Sequence, residues 1–446
     1  MFGSKSLRAT GADALPAPLG VPSAAERAGQ AQASVAAEGT LPLRPIAARA
    51  ALIWLVSRVV YVALTLGFAL VRLPRPLNAA AVLHVWQQWD GNWYVVIAQY
   101  GYPATAQGPA FFPLYPMLIK GLATVFGGGH YLLAALILSN ACALALFVGF
   151  GLLAALELGP AASEGARISR AVWALLALLA YPLALYLAAP YSEALFLALA
   201  VFAFFCARRG LWAWAIACAF LAGLTRPTAV ILALPLLWEY GRQHGWWERI
   251  ARWRGEGWRG DGWHGVWRAL PRVRELAAGA LVAVAAPLGI ACYSAYLQLQ
   301  YGDPLRFAHA EAYWSHINAP IWQTLALMAG SVLHPPTQTI FRFLIVLDFG
   351  ALLFVAGMVA RAAKRLPVAY TLYVVGLLLV VFSTPVPSRP EVMPSAARYM
   401  LEAFPIFFVL GRWGERHRRV GFAVMAAAFV VQAAFVAIFL SGKWVE

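Results

Sequence analysis

The chain has 446 residues, of which 62% are hydrophobic and only 12% charged, with a mean hydropathy of +0.69. Soluble domains carry about 25% charged residues, so this surface would not stay in water and a soluble globular protein is excluded. The net charge of +15, nearly all arginine, is spread over a few loops. That distribution points to membrane topology and not to a nucleic-acid partner.

Residues 1–45 are rich in Ala, Gly, Pro and Ser and are expected to be disordered and cytoplasmic. They lack the short apolar stretch of a cleaved signal peptide. The apolar runs that follow are continuous, not alternating, and several exceed the ~20 residues that span a bilayer. Helices satisfy their backbone in lipid and the pattern is not that of a barrel. The fold class is therefore all-α, a polytopic transmembrane helical bundle occupying 46–446. Spans are predicted near 48–71, 131–156, 170–189, 192–207, 211–224, 229–240, 277–299, 340–360, 367–384, 399–411 and 420–441.

Basic residues cluster at Arg44 and Arg49, Arg208 and Arg209, Arg361 to Arg365, Arg412 to Arg419, and throughout 241–276. Placing all of them in the cytoplasm gives about eleven crossings, with the N-terminus in and the C-terminus out. Segment 111–126 is then a short interfacial or re-entrant piece. Segments 211–224 and 229–240 meet at Thr225-Arg226-Pro227-Thr228 as a broken helix, of the kind tolerated only inside protein or beside a water-filled cavity. Loops 73–130, 300–338 and 385–398 lie together on the outer face. The Trp/Arg-rich loop 241–276 suits anionic headgroups on the inner face. The protein is expected in the plasma (inner) membrane.

Residues 86–116, WQQWDGNWYVVIAQYGYPATAQGPAFFPLYP, carry the strongest chemical signal. Asp90 sits among Trp89, Trp93 and Tyr94. Desolvation there would raise its pKa and make it a better base near neutral pH, and the rings could stack on a sugar. An aromatic belt with an Asp-Gly turn explains the same residues. Arg226 at its helix break could clamp a phosphate or bond carbonyls freed by Pro227. Asp303 before Pro304 reads as a cap, and the helix after it would align Arg306, His309 and Tyr313. His309 and Glu311 could belong to the site. Arg389, Glu391, Arg398 and Tyr399 fall in the last outer loop, with Arg398 at headgroup depth, where snorkelling is the alternative. Among intramembrane charges, Arg342 is placed near the site, whereas Arg58, Asp348 and Glu402 are assigned to interhelical pairs.

Other chemistries find no residues. The four cysteines (Cys142, Cys206, Cys218, Cys292) lie in apolar runs without metal spacing. The GxGxxG match at Gly255–Gly260 follows no strand. No HExxH, GxSxG or DxD is present, so neither a metal nor a cofactor is expected and the donor substrate must come from the membrane.

WDGNWY, IAQYGYP and FFPLYP resemble the PIG-V-type mannosyltransferases, GPI mannosyltransferase 2 and its bacterial relatives in the GT-C superfamily. In order along the chain follow Ser139-Asn140, Pro190-Tyr191-Ser192-Glu193, Leu224-Thr225-Arg226-Pro227-Thr228, Gly302-Asp303-Pro304, Arg398-Tyr399 and Phe404-Pro405. The resemblance covers about 50–410 and favours the bacterial subgroup at Pro227-Thr228; loop 241–276 has no counterpart in it. It implies a GT-C bundle and an inverting glycosyltransferase with its site on the extracytoplasmic face. The donor would be a polyprenyl-phosphate sugar, usually mannose. The acceptor would be a lipid-linked glycan, a glycolipid or a protein hydroxyl. Asp90 is then the base; Arg226, Arg398 and His309 would hold the donor phosphate; Trp89, Trp93, Tyr94, Tyr115, Glu193 and Asp303 would bind substrate. A lipid-linked glycan flippase would need a polar path across the bilayer, and the polar residues gather on one face instead. A non-catalytic polyprenyl-lipid binding protein would share the fold.

Overall fold

The computed structural model describes residues 41–445 apart from 104, 106, 159–162, 257–270 and 390–391. The N-terminal segment 1–40, the middle of the basic loop and Glu391 lie outside the described residues. Helix already begins at Leu43, inside the stretch expected to be disordered.

All regular structure among the described residues is helical. In chain order the helices are α1 (Leu43–Arg72), α2 (Ala79–His84), α3 (Asp90–Tyr100), α4 (Leu114–Val125), α5 (Tyr131–Leu158) and α6 (Glu164–Leu179). They continue with α7 (Glu193–Arg208), α8 (Trp212–Gly223), α9 (Ala233–Gln243), α10 (Trp246–Glu256), α11 (Val273–Tyr301) and α12 (Arg306–Glu311). The last are α13 (Ile321–Leu333), α14 (Thr339–Ala362), α15 (Val368–Phe382), α16 (Ala396–Tyr399), α17 (Pro405–Arg416) and α18 (Arg418–Leu440). Five of these, α1, α5, α11, α14 and α18, are long and apolar enough to cross a membrane. α1 turns Leu52, Val59 and Leu70 outward, each more than half exposed. An apolar face of that size is stable against lipid and not against water. The protein is a helical membrane protein.

Each predicted apolar segment contains helix, with one correction. The segment expected to run unbroken over 170–189 stops at Leu179. Pro182 denies a backbone donor to a continuing helix, and Tyr181–Ser192 runs on as a buried irregular stretch with one 3-10 turn at Ala184–Leu187. In the 399–411 segment, a 3-10 turn at Met400–Glu402 likewise precedes α17.

The core forms around α7, which is buried along nearly all its length and packs between α5 and α8. α8 in turn lies on α11, and α6 on α17. Lipid provides no hydrophobic drive between helices, so close approach through small residues does that work. At the α8–α11 crossing, a β-carbon on Gly223 would run into the Ala286 carbonyl oxygen, and one on Gly289 into that of Phe220. The two backbones touch directly.

The bundle carries a charged cluster at each end. Ser139 and Glu157 lie about 27 Å apart along α5 and mark the two levels. At the Glu157 level, Arg208 bridges Glu157 (2.5 Å) and Glu239 (3.0 Å), while the Tyr370 hydroxyl donates to Glu157 at 2.9 Å. Arg208 thus does more than mark topology. Arg208→Ala would leave the buried Glu157 without a cation. It should cost about 3–5 kcal/mol, read as a lowered thermal midpoint in detergent; an unchanged midpoint would mean that Glu157 is solvated. The described part of the Trp/Arg loop also packs inward. Trp246 fits over Gly279, and Trp247 stacks on Trp238 at 4.3 Å. Trp246 and Trp247, expected at a lipid surface, cover neighbouring helices here.

Candidate functional site

At the Ser139 level the short segments converge. Asp90 opens α3 immediately after Trp89, whose φ of +49° is sparsely populated for a residue with a side chain. The Trp89 ring is held edge-on against Trp444 at 4.9 Å. Gly91 is required by contact, because its β-carbon would meet Pro190 at 2.9 Å. That proline belongs to the buried turn Pro190-Tyr191-Ser192-Glu193. The Tyr191 hydroxyl donates to the Gln88 carbonyl at 3.0 Å, which fastens the aromatic loop to the turn.

Arg226 stands in extended backbone between α8 and the 3-10 turn Pro227–Leu232, so the predicted helix break is present. Arg398 lies in the one-turn helix α16, entered through Ser395 at φ +65°. Asp348 of α14 anchors that turn: its Oδ1 accepts from the Ala397 N–H at 3.1 Å.

These elements join Asp90, Arg226 and Arg398 in one ion-pair chain. Asp90 Oδ2 is 2.9 Å from Arg398 Nη2, and Arg398 Nε is 3.2 Å from Glu193 Oε1. Glu193 Oε1 is also 2.9 Å from Arg226 Nη1, and Arg226 Nε is 3.2 Å from Glu402 Oε1. Ser192 braces the chain by accepting from Arg226 Nη1 at 3.2 Å and lying 2.8 Å from the Tyr94 hydroxyl. Three carboxylates face two guanidinium groups. The apolar surroundings expected for Asp90 are replaced by a cation, and the arginines expected to wait for a phosphate already have carboxylate partners. Arg398 Nη1 is nevertheless buried without a hydrogen-bond partner.

The chain of ion pairs forms one side of a cavity of about 870 Å³. Trp89, Asp90, Trp93, Tyr94, Arg226 and Arg398 line it, as predicted residues brought together from distant parts of the sequence. Trp93 stacks on Phe111 at 5.6 Å, and Tyr94 meets Phe111 edge-on at 5.2 Å. Glu193 and Tyr115 lie behind the wall. Tyr115 is fully buried, with its hydroxyl 2.5 Å from Ser139 Oγ. Glu311, Trp314, His316 and Arg389 also line the cavity, together with Lys443 and Trp444.

Asp303 and His309 are not in the wall. Asp303 accepts from the Leu305 N–H at 3.0 Å and takes His309 Nδ1 at 2.8 Å. This cap turns the imidazole away, and its hydrogen bond holds the Asp303 carboxyl below the usual range. Arg342 bonds the Pro336 carbonyl at 2.7 Å, while Phe341 and Leu344 of the same helix face the cavity. Among the described residues Arg58 has no carboxylate partner; it donates to the Leu187 carbonyl at 3.4 Å and lies over the Trp54 and Tyr61 rings. Glu402, assigned to a remote helix pair, is the last member of the site's own chain.

Glu311 gains weight from its position. Burial and the negative charge of Asp90 push its carboxyl up to about 7, against the pull of Arg226 and Arg398. His316 beside it is pushed down by burial despite its bond to the Thr384 carbonyl. Sequence reasoning missed His316, Lys443 and Trp444. Their signal was topological: each follows or precedes a span ending on the same level as Asp90. Among the described residues, no group of three or more His, Cys, Asp or Glu could hold a metal ion. No family model matches the chain, and no curated protein matches it.

Proposed function

We propose that the protein is an inverting membrane glycosyltransferase. It moves a sugar, mannose by the resemblance above, from polyprenyl phosphate to an acceptor hydroxyl. In this reading the bundle is a GT-C arrangement of about eleven crossings, and the cavity opens to the extracytoplasmic face of the plasma membrane. The observation that carries the reading is the meeting of Asp90, Arg226 and Arg398 in one cavity. An Asp90 and an Arg226 at opposite ends of the bundle would have defeated it.

The acceptor hydroxyl lies against the Asp90 carboxylate and attacks C1 of the donor sugar. A bond forms from the acceptor oxygen to C1 as the bond from C1 to the phosphate oxygen breaks, and its electron pair leaves with polyprenyl phosphate. One displacement inverts the anomeric centre. Negative charge grows on the phosphate, and fixed donors aimed at it stabilise the transition state. Arg398 Nη1 has a donor to offer, and Arg226, Arg389 and Lys443 line the same cavity. Trp89, Trp93 and Tyr94 give the sugar an aromatic surface.

The test is a transfer assay with the purified chain in nanodiscs, polyprenyl-phosphate mannose as donor and octyl mannoside as acceptor. Acceptor-dependent release of polyprenyl phosphate, with an inverted glycosidic product, is expected. No release from mannose, glucose or arabinose donors would defeat the reading and leave a lipid-binding protein.

A further inference from the structure

We propose that the proton removed from the acceptor comes to rest on Glu311, with Asp90, paired to Arg398 at 2.9 Å, as the residue that orients the hydroxyl. The inference rests on the glycosyl-transfer reading and divides the work within its site.

Asp90 already has a partner. Its Oδ2 holds Arg398 Nη2 at 2.9 Å, and that guanidinium lies over the rings of Tyr186, Tyr191 and Tyr399. Glu311 has no such tie. Its side chain is 46% exposed, into the cavity, and its nearest cationic group among the described residues is His316, at 4.0 Å. The groups that act on it are Asp90, which disfavours its charge, and Arg226 and Arg398, which favour it. Tyr399 faces it as well, and Arg389 acts on His316.

His316 completes the arrangement. Its Nδ1 lies 3.1 Å from the Thr384 carbonyl, an oxygen that can only accept, so that nitrogen carries the hydrogen. In the neutral ring Nε2 then keeps its lone pair, and Nε2 is the atom that faces Glu311. A neutral Glu311 meets an acceptor there, and among the described residues an ionised one has no arginine or lysine within 4.0 Å. The step balances: the acceptor O–H bond breaks, an O–H bond forms on Glu311 directly or through water, and the acceptor's electron pair goes to C1. Water at the open side of the cavity later takes the proton.

The experiment compares the wild type with Glu311→Gln, Glu311→Asp and Asp90→Asn in the nanodisc assay from pH 5 to 9. Wild-type kcat should rise with pH and level off above about 7, because Glu311 must be ionised to accept the proton. Glu311→Gln should lower kcat about 10²-fold, with KM little changed and the limb near 7 gone. Glu311→Asp should restore part of the rate and the limb. Asp90→Asn should lose activity and keep the limb in what remains. A Glu311→Gln protein with wild-type kcat and limb overturns the inference and leaves the glycosyl-transfer reading standing. If Gln and Asp at 311 prove equally inactive while the folded state is intact, the role is structural and the inference also fails. A wild type that turns over no donor overturns the reading and the inference with it.

Discussion

Asp90→Asn is expected to lower glycosyl transfer by at least about 10²-fold while leaving the protein folded. Asn keeps the volume and a hydrogen-bond acceptor, so the aromatic loop should hold its shape through Tyr191 and Gln88. What is lost is the charge that aligns the acceptor and pairs with Arg398 at 2.9 Å. The measurement is turnover of polyprenyl-phosphate mannose at saturating donor, beside a thermal midpoint for each protein. Near-normal turnover by a folded Asp90→Asn protein would remove Asp90 from the mechanism. A collapsed midpoint would instead make it part of the scaffold.

Arg226→Leu should be the most damaging change to the fold at this site. The guanidinium reaches Glu193 with one nitrogen and Glu402 with another. Glu193 would still have Arg398, but Glu402, fully buried, would lose its cation. Removing one partner of a buried pair costs about 3–5 kcal/mol, a large share of the stability of an ordinary domain. Arg226→Lys should recover only part of this, because a single ammonium lacks the planar fork that serves two carboxylates. Recovery of Arg226→Leu by a second change, Glu402→Gln, would be the strongest support, and the two effects should not add. Thermal unfolding in one detergent reads the wild type, Arg226→Leu, Arg226→Lys, Glu402→Gln and the double variant. A wild-type midpoint for Arg226→Leu would mean that water already solvates Glu402.

Much of this was legible in the residues. Continuous apolar runs predict helices because lipid allows little else, and Arg226-Pro227 predicts a break because proline cannot continue the ladder. The carboxylate among tryptophans stands out for its local composition. Pairing across the chain was not legible. Nothing near Arg226 or Arg398 in the sequence announces Glu193 and Glu402 as partners, so both arginines read as uncommitted cations. Asp348 read as one member of an interhelical pair, and its Oδ1 holds the backbone one residue before Arg398. Asp303 was recognised as a cap, but a cap that also takes His309 moves the imidazole out of the site. A two-residue difference, from His309 to Glu311, then decides which side chain faces the cavity, and helical spacing alone could not choose between them. The break after Leu179 was hidden because Pro182 is surrounded by residues as apolar as the helix before it.

The Gly223–Gly289 contact bears on how firmly Arg226 is held. Two backbones that meet without side chains between them have nothing to repack, and close-packed interfaces shift between discrete arrangements or stay put. α8 and α11 therefore behave as one rigid beam, and Arg226, three residues beyond Gly223, is fixed to it. α14 adds Phe341 and Leu344 to the lining of the same cavity, and its Asp348 ties that helix to the turn that carries Arg398. The cavity's charged side is thus set by a backbone contact in which no side chain can adjust.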